Sequence, residues 1–349
     1  MEPDHELLAA LGRLGLLEPG EQAKMEALGG GVSSDIWKVE TGSRTLCVKR
    51  ALAKLKVAAD WQAPIERNAY EADWMREAAK VVPSAVPELL GQDEASGVLA
   101  MAFLPPDRFS LWKEELRQGR VEPSTAADVG DRLVRIHAAC AHREDIAERF
   151  DTDAIFHDIR LEPYLLATAR AHPAHAAALE RLAETTGNTK RTLVHGDVSP
   201  KNILIGPRND PIRQAGPVFL DAECAWFGDP AFDLAFCLNH LLLKCVWVPA
   251  AKPAFLTCFE ALAERYLTGV DWEPRDEIEA RTAALLPGLM LGRIDGKSPV
   301  EYLTEESDKT RVRAFATAHL AALPKRLGDI KLAWSGEGGG ERPMTGDKM

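Results

Sequence analysis

Leu193-Val194-His195-Gly196-Asp197-Val198-Ser199-Pro200-Lys201-Asn202-Ile203-Leu204-Ile205 is followed, after a loop rich in Gly, Pro and Asn, by Val218-Phe219-Leu220-Asp221-Ala222-Glu223. Two short apolar triplets flanking a turn-rich loop predict a β-hairpin. Such pairing sets Asn202, just before one strand, beside Asp221, just after the other. Asp197 lies close by on its own loop. An amide and a carboxylate converging on one point suit Mg²⁺, which keeps several waters and takes phosphate oxygens along with one or two carboxylates.

Working outward, the chain before residue 105 is strand-rich. A glycine cluster, Gly29-Gly30-Gly31-Val32-Ser33-Ser34, precedes Asp35-Ile36-Trp37-Lys38-Val39-Glu40, which alternates polar and apolar residues as a half-buried strand does. Thr41-Gly42-Ser43-Arg44 reads as a turn and Thr45-Leu46-Cys47-Val48-Lys49-Arg50 as a second strand. A helix over 64–81 gathers residues 70, 74, 75 and 78 on one apolar face, and a strand over 98–104 stops at Pro105-Pro106. From about 123 onward helical patterns dominate, at 123–142, 158–171, 174–186, 231–245, 253–268, 274–290 and 308–323. The island at 192–223 is the exception. The predicted class is α+β. An antiparallel sheet lobe with one long helix occupies 1–104, a larger, mainly helical lobe 105–335, and a Gly-rich disordered tail 336–349.

Asp197 and Asn202 have the spacing of the kinase catalytic loop, where the aspartate meets the substrate hydroxyl and the asparagine holds metal. HGDVSPKN (195–202) followed by FLDAECAWFGDPAFDLA (219–235) resembles the aminoglycoside phosphotransferase and choline kinase branch of the protein-kinase-like fold. His-Gly-Asp stands where protein kinases have His-Arg-Asp, and Asp221-Ala222-Glu223 where they have Asp-Phe-Gly. The motifs occur in order, 19 residues apart from Asn202 to Asp221, and the resemblance covers about residues 25 to 325.

That resemblance implies a two-lobed fold with the active site between the lobes. Asp197 would accept the proton of the acceptor hydroxyl or orient it, and Asn202, Asp221 and Glu223 would hold Mg²⁺. Lys49, set by a helix glutamate, would neutralise the α/β-phosphates. Of Glu66, Glu71 and Glu77, Glu71 best matches the family position. The glycine cluster departs from Gly-x-Gly-x-x-Gly, yet Ser33 and Ser34 offer hydroxyls to phosphates, as in similar phosphotransferases. Adenine contacts fall by position to the backbone of Ala102 and Leu104, with Met101 packing behind the base. His195 and Asp233 are expected to brace the loop, and Asp229 to cap a helix.

The implied activity is transfer of the γ-phosphate of Mg·ATP, or of GTP, to a hydroxyl of a small metabolite or antibiotic. Rival readings are a pseudokinase-type nucleotide-binding module and a methylthioribose, homoserine or choline kinase-like metabolic enzyme. Presence of Lys49, Asp197, Asn202 and Asp221 together disfavours the pseudokinase. A protein kinase is disfavoured because no Ala-Pro-Glu and no long activation segment follow Asp221.

Composition agrees with a small-molecule enzyme. The 349 residues are 46% hydrophobic and 27% charged, which excludes collagenous, coiled-coil and fully disordered chains. With 53 acidic and 42 basic residues the net charge is −11, so duplex nucleic acid finds no basic footprint. This charge, with the runs Arg143-Glu144-Asp145 and Thr304-Glu305-Glu306-Ser307-Asp308, points to an acceptor bearing positive charge or several hydroxyls. Its pocket is expected to include Trp226, Trp247 and the acidic residues around Asp271 to Asp276. Six cysteines without a Cys-x-x-Cys pair read as buried reduced thiols. The amino terminus is acidic where a signal peptide is basic. The most apolar stretch, 234–248, is interrupted by Asn239, His240 and Lys244. A cytoplasmic monomer or homodimer without membrane or nucleic-acid partners is the expectation.

Overall fold

The computed structural model describes residues 5–29, 34–52, 67–207 and 216–336. Ser33 and its neighbours 30–32, Glu66 and the expected start of its helix, and the expected tail past Gly336 lie outside the described residues. Helix α1 (His5–Arg13) leads into β1 (Lys24–Ala27), β2 (Ser34–Glu40) and β3 (Thr45–Ala51). Then come α2 (Arg67–Val81), β4 (Leu89–Asp93) and β5 (Val98–Ala102). These five strands form one antiparallel sheet in the order β1-β2-β3-β5-β4.

Period-two alternation divides the sheet residues between two cores. Leu46 and Val48 of β3 and Val98 and Ala100 of β5 face α1, packing with Leu7, Ala10 and Leu11. Leu99 and Met101 face the other way, joining Ala72, Trp74, Met75 and Ala78 of α2 in the main core. Lys49 shares that second direction, so the strand period aims it at α2.

The rest is mostly helical: β6 (Ser110–Leu111), α3 (Trp112–Arg117), α4 (Pro123–Cys140), α5 (Glu144–Arg149), α6 (Asp153–Phe156), a π-helical segment (His157–Leu166), α7 (Ala167–Ala171) and α8 (Ala176–Asn188). Strands β7 (Thr192–Val194), β8 (Ile203–Ile205), β9 (Pro217–Phe219) and β10 (Trp226–Gly228) precede α9 (Pro230–Trp247), α10 (Lys252–Thr268), α11 (Arg275–Asp295), α12 (Glu306–Ala321) and α13 (Leu327–Gly336). The predicted hairpin is present, with Ile203 opposite Phe219 and Ile205 opposite Pro217. Helix α9 is buried from Pro230 to Val246, which accounts for its mostly apolar composition and makes Asp233, Asn239, His240 and Lys244 buried polar residues. Among the described residues no helix is long and apolar enough to cross a membrane. All six cysteines are free thiols, five of them buried, as expected.

Candidate active site

The catalytic-loop segment is held from below by α9. Asp233 accepts hydrogen bonds from the backbone N–H of His195 (2.7 Å) and of Gly196 (2.8 Å). Its Oδ2 also faces His137 Nε2 at 3.3 Å. Asp229 caps the same helix by accepting from Ala231 N at 3.0 Å. Gly196 has φ of +80°, and a Cβ there would lie 2.6 Å from the Cys224 carbonyl oxygen, so only glycine fits between the two motifs.

His195 joins the loop to the Asp221 strand. Its Nδ1 accepts from Asp197 N–H at 3.1 Å, which places the ring proton on Nε2, 3.1 Å from the Leu220 carbonyl. Burial lowers the pKa of this ring, keeping it neutral as that pattern requires. The expected bracing role of His195 and Asp233 therefore matches their geometry.

Asp197 is buried, and its two carboxylate oxygens differ. Oδ2 faces Arg160 Nη2 at 3.0 Å and Lys201 Nζ at 3.2 Å. Oδ1 is buried without any partner. Burial alone would raise its pKa, but Lys201 and Arg160 outweigh that and hold it well below the usual carboxylate range. Asn202 donates its amide to the Asp197 carbonyl at 3.1 Å, and Leu220 N–H donates to the Asn202 carbonyl at 2.9 Å. These bonds bring Asn202 and Asp221 together as the hairpin predicts. Asp221 itself sits at φ +67°, a conformation aspartate tolerates better than most residues.

One face of α2 covers this loop. Arg67, Glu71 and Trp74 recur at helical spacing, and each reaches a different motif residue. Glu71 meets Lys49 Nζ at 2.6 Å, and Lys49 also bonds Asp221. Burial disfavours the lysine's charge, but Asp221 and Glu71 overcome this and hold it protonated; burial pushes Glu71 up, with Lys49 opposing and the like charge of Asp221 adding to the rise. Trp74 packs edge-on against the His195 ring, centroids 4.7 Å apart. Arg67, fully buried, bonds Glu223 Oε2 at 3.0 Å. Glu77 instead pairs with Lys80, Arg143 and Arg149.

Several expectations change. Glu223, expected to hold metal, has its Oε2 bonded by Arg67 at 3.0 Å. Trp226 is core rather than pocket: it is buried, stacked on Phe156 at 4.0 Å, with its indole N–H bonded to Asp153. Trp247 stacks on Tyr302 at 4.6 Å. In the 271–276 region Glu273 pairs with Arg281, which also holds Asp229, while Asp271 and Asp276 are exposed. The acidic runs are exposed and paired locally, Asp145 with Arg143 and Glu306 with Arg313. What surrounds Asp197 is cationic. Sequence reading missed Arg67 and Arg160; the latter lies on the π-helical segment, whose Pro163 has no N–H to give.

Of the expected nucleotide contacts, Ser34 is buried, and its hydroxyl has no hydrogen-bond partner among the described residues. Met101 lies in the main core, and Ala102 donates its N–H to Glu88 O at 2.8 Å. Leu104 packs with Phe109, Val218, Leu204 and Leu220 beside the hairpin. Among the described residues no group of three or more His, Cys, Asp and Glu could enclose a metal. The Asn202 carboxamide oxygen and the Asp221 carboxylate still form an all-oxygen pair of the sort Mg²⁺ takes together with phosphate.

The sequence matches the model of the Phosphotransferase enzyme family over residues 24–278. The chain belongs to that family. Among curated relatives, the methylthioribose kinase of Pectobacterium carotovorum is 23% identical over 351 residues, 88% of this chain and 84% of that one. The methylthioribose kinase of Geobacillus kaustophilus is 23% identical over 66% of this chain and 63% of its own length. Among solved structures an ethanolamine kinase of Plasmodium vivax superposes with a TM-score of 0.54 at 11% identity, covering 85% of this chain and 83% of that one. This phosphotransferase thus has the two-lobed protein-kinase-like fold, and it is a small-molecule kinase.

Proposed function

We propose that this phosphotransferase moves the γ-phosphoryl group of Mg·ATP onto a hydroxyl of a small acceptor, with Asp197 as the catalytic residue. The observation that carries the assignment is the unpartnered Asp197 Oδ1, buried beside the Asn202–Asp221 pair. The acceptor oxygen attacks the γ-phosphorus, a new O–P bond forms and the β,γ-bridging P–O bond breaks. Its electron pair leaves with ADP, and the hydroxyl proton passes to Asp197 Oδ1.

Asn202 and Asp221 would hold Mg²⁺, which supplies positive charge to the phosphate oxygens when bound. Lys49, positioned by Glu71, adds a second cation at the phosphates, and Ser33 and Ser34 add hydroxyls. The base would rest against Met101, Ala102 and Leu104. In this reading residues 1–104 form the nucleotide lobe and 105–335 the acceptor lobe. Lys201 and Arg160 keep Asp197 ionised and fix its rotamer, so catalysis is mainly positioning and charge complementarity.

Thermal unfolding with millimolar nucleotide tests the reading. A ligand that binds only the folded chain stabilises it by mass action. Mg·ATP or Mg·GTP should raise the midpoint, and either partner alone should do less. No shift with any combination would count decisively against the site.

A further inference from the structure

Deep in the helical lobe a polar cluster lacks the partners that burial demands. Lys244 on α9 is 1% exposed, and its ammonium lies 4.5 Å from the Trp247 ring and 4.3 Å from the Tyr302 ring. Arg293 on α11 is buried too; it bonds Tyr164 OH at 3.2 Å, Ser298 O at 2.5 Å and Ser298 Oγ at 3.0 Å, while its Nε has no partner. Among the described residues neither cation has a carboxylate within ion-pair distance. Beside them His240 meets Tyr302 OH through Nδ1 at 3.2 Å and leaves Nε2 unpartnered. Asn239 leaves both amide atoms unpartnered. Buried charges are normally paired, and a buried amide is normally hydrogen-bonded. A guanidinium without a carboxylate, beside an ammonium that has only two aromatic rings for company and an imidazole nitrogen without a partner, is a setting that favours an anion.

The cluster connects to the catalytic loop. The Tyr164 ring has Arg293 on it at 5.4 Å and Arg160, the partner of Asp197, at 5.9 Å. Phe236 touches both Tyr164 and His240, with centroids 5.4 Å away in each case. Asp197 and Lys201 both act on His240 electrostatically. Nearby acids are accounted for: Glu301 is paired with Lys113, and Glu114 with Arg117. From outside, a cleft of about 250 Å³ reaches Arg293 past Glu301, Leu303, Thr304 and Lys309.

We propose that the acceptor is an anionic alcohol, its carboxylate or phosphate group held by Arg293, Lys244 and His240 while its hydroxyl reaches Asp197. This rests on the phosphotransferase reading above and reverses the preference for a cationic acceptor that net charge suggested. The acidic runs behind that preference are mostly exposed, whereas Arg160, Lys244 and Arg293 are buried.

The test is thermal unfolding of the full chain with four probes at on the order of 10 mM: D-glycerate, sn-glycerol 3-phosphate, glycerol and choline. At least one anion should raise the midpoint by about 2 °C or more, while glycerol and choline should not. The two anions separate carboxylate from phosphate recognition. In Lys244→Met and Arg293→Gln the anion shift should disappear while a Mg·nucleotide shift persists, which shows that each variant is folded. Equal shifts from neutral or cationic probes, no shift from either anion, or an anion shift undiminished in both variants would overturn the proposal. Loss of the Mg·nucleotide shift in the wild-type chain would instead strike the phosphotransferase site itself.

Discussion

Arg160 and Asp197 are joined by a 3.0 Å ion pair that uses one carboxylate oxygen and leaves the other buried and bare. The arginine also grips the backbone of the same loop through Nε to the Gly196 carbonyl, while its Nη1 bonds the carbonyl of its own neighbour Ile159 at 2.6 Å. It is thereby a rigid stop that fixes which carboxylate oxygen is left bare, the one to which the proposed acceptor hydroxyl would turn.

If Asp197 takes the hydroxyl proton, Asp197→Asn keeps the shape and removes the acceptor. Turnover should fall by about 10² or more with nucleotide affinity preserved. Asp221→Ala should weaken Mg·nucleotide binding and turnover together, because metal and phosphate charge are neutralised jointly. Calorimetry with a nonhydrolysable nucleotide, paired with an ADP-release assay, distinguishes them. Wild-type turnover in Asp197→Asn would refute the mechanism.

Arg160→Gln tests positioning rather than chemistry. With Lys201 still on Asp197 Oδ2, the carboxylate stays charged but loses its stop. We expect kcat to drop about tenfold, with the KM for nucleotide unchanged. Arg160→Lys should restore little, since a lysine cannot reach two carbonyls and a carboxylate in a fixed fork. Full recovery by lysine would show that only the charge matters.

Trp74→Ala removes a fully buried indole that packs on His195 and Phe219. Loss of about 3–5 kcal/mol is expected from the cavity alone, read by denaturant unfolding. Turnover at a temperature where the variant remains folded should also fall, because the His195 ring that joins the loop to Leu220 loses its support. Intact activity would confine Trp74 to packing.

Lys244→Met has a pH signature. Burial first, then the Lys113 cation, lower this lysine to about 7, with Arg293 adding and Glu301 and Glu114 opposing; Tyr302 and His240 are the other titratable groups against it. The unfolded lysine titrates near its ordinary value of about 10.4, so between pH 7 and that value the unfolded chain binds more protons. Wild-type stability should therefore gain a rising component across that window, which the methionine variant lacks. The variant's midpoint minus the wild-type midpoint should be largest near pH 6.5 and shrink by pH 9.5. A pH-independent difference would show that the lysine is charged throughout.

The catalytic hairpin, the Asp229 cap and the Asp233 brace were legible because each follows from local chemistry: a turn between apolar triplets, a carboxylate before a helix, a carboxylate one turn inside it. The long-range partners were not. Arg67 and Glu223 are 156 positions apart, and nothing in either neighbourhood marks the other. Arg160 sits on a helix that the 3.6-residue period does not describe. Strand β1 carries no alternation, since three of its four residues are exposed. Trp226 looked like a pocket residue only because an aromatic after a motif reads the same whether it faces a ligand or Phe156.

Helix α2 is fastened along its whole length: Arg67 to Glu223, Glu71 to Lys49, Trp74 to His195, and Glu77 to Arg143 and Arg149. Swinging such a helix outward to disarm the enzyme would break several buried ion pairs at once, and breaking one by losing a partner already costs about 3–5 kcal/mol. Any outward movement of α2 would therefore have to undo the Arg67–Glu223 and Glu71–Lys49 pairs together, which ties the helix and the catalytic loop into one unit.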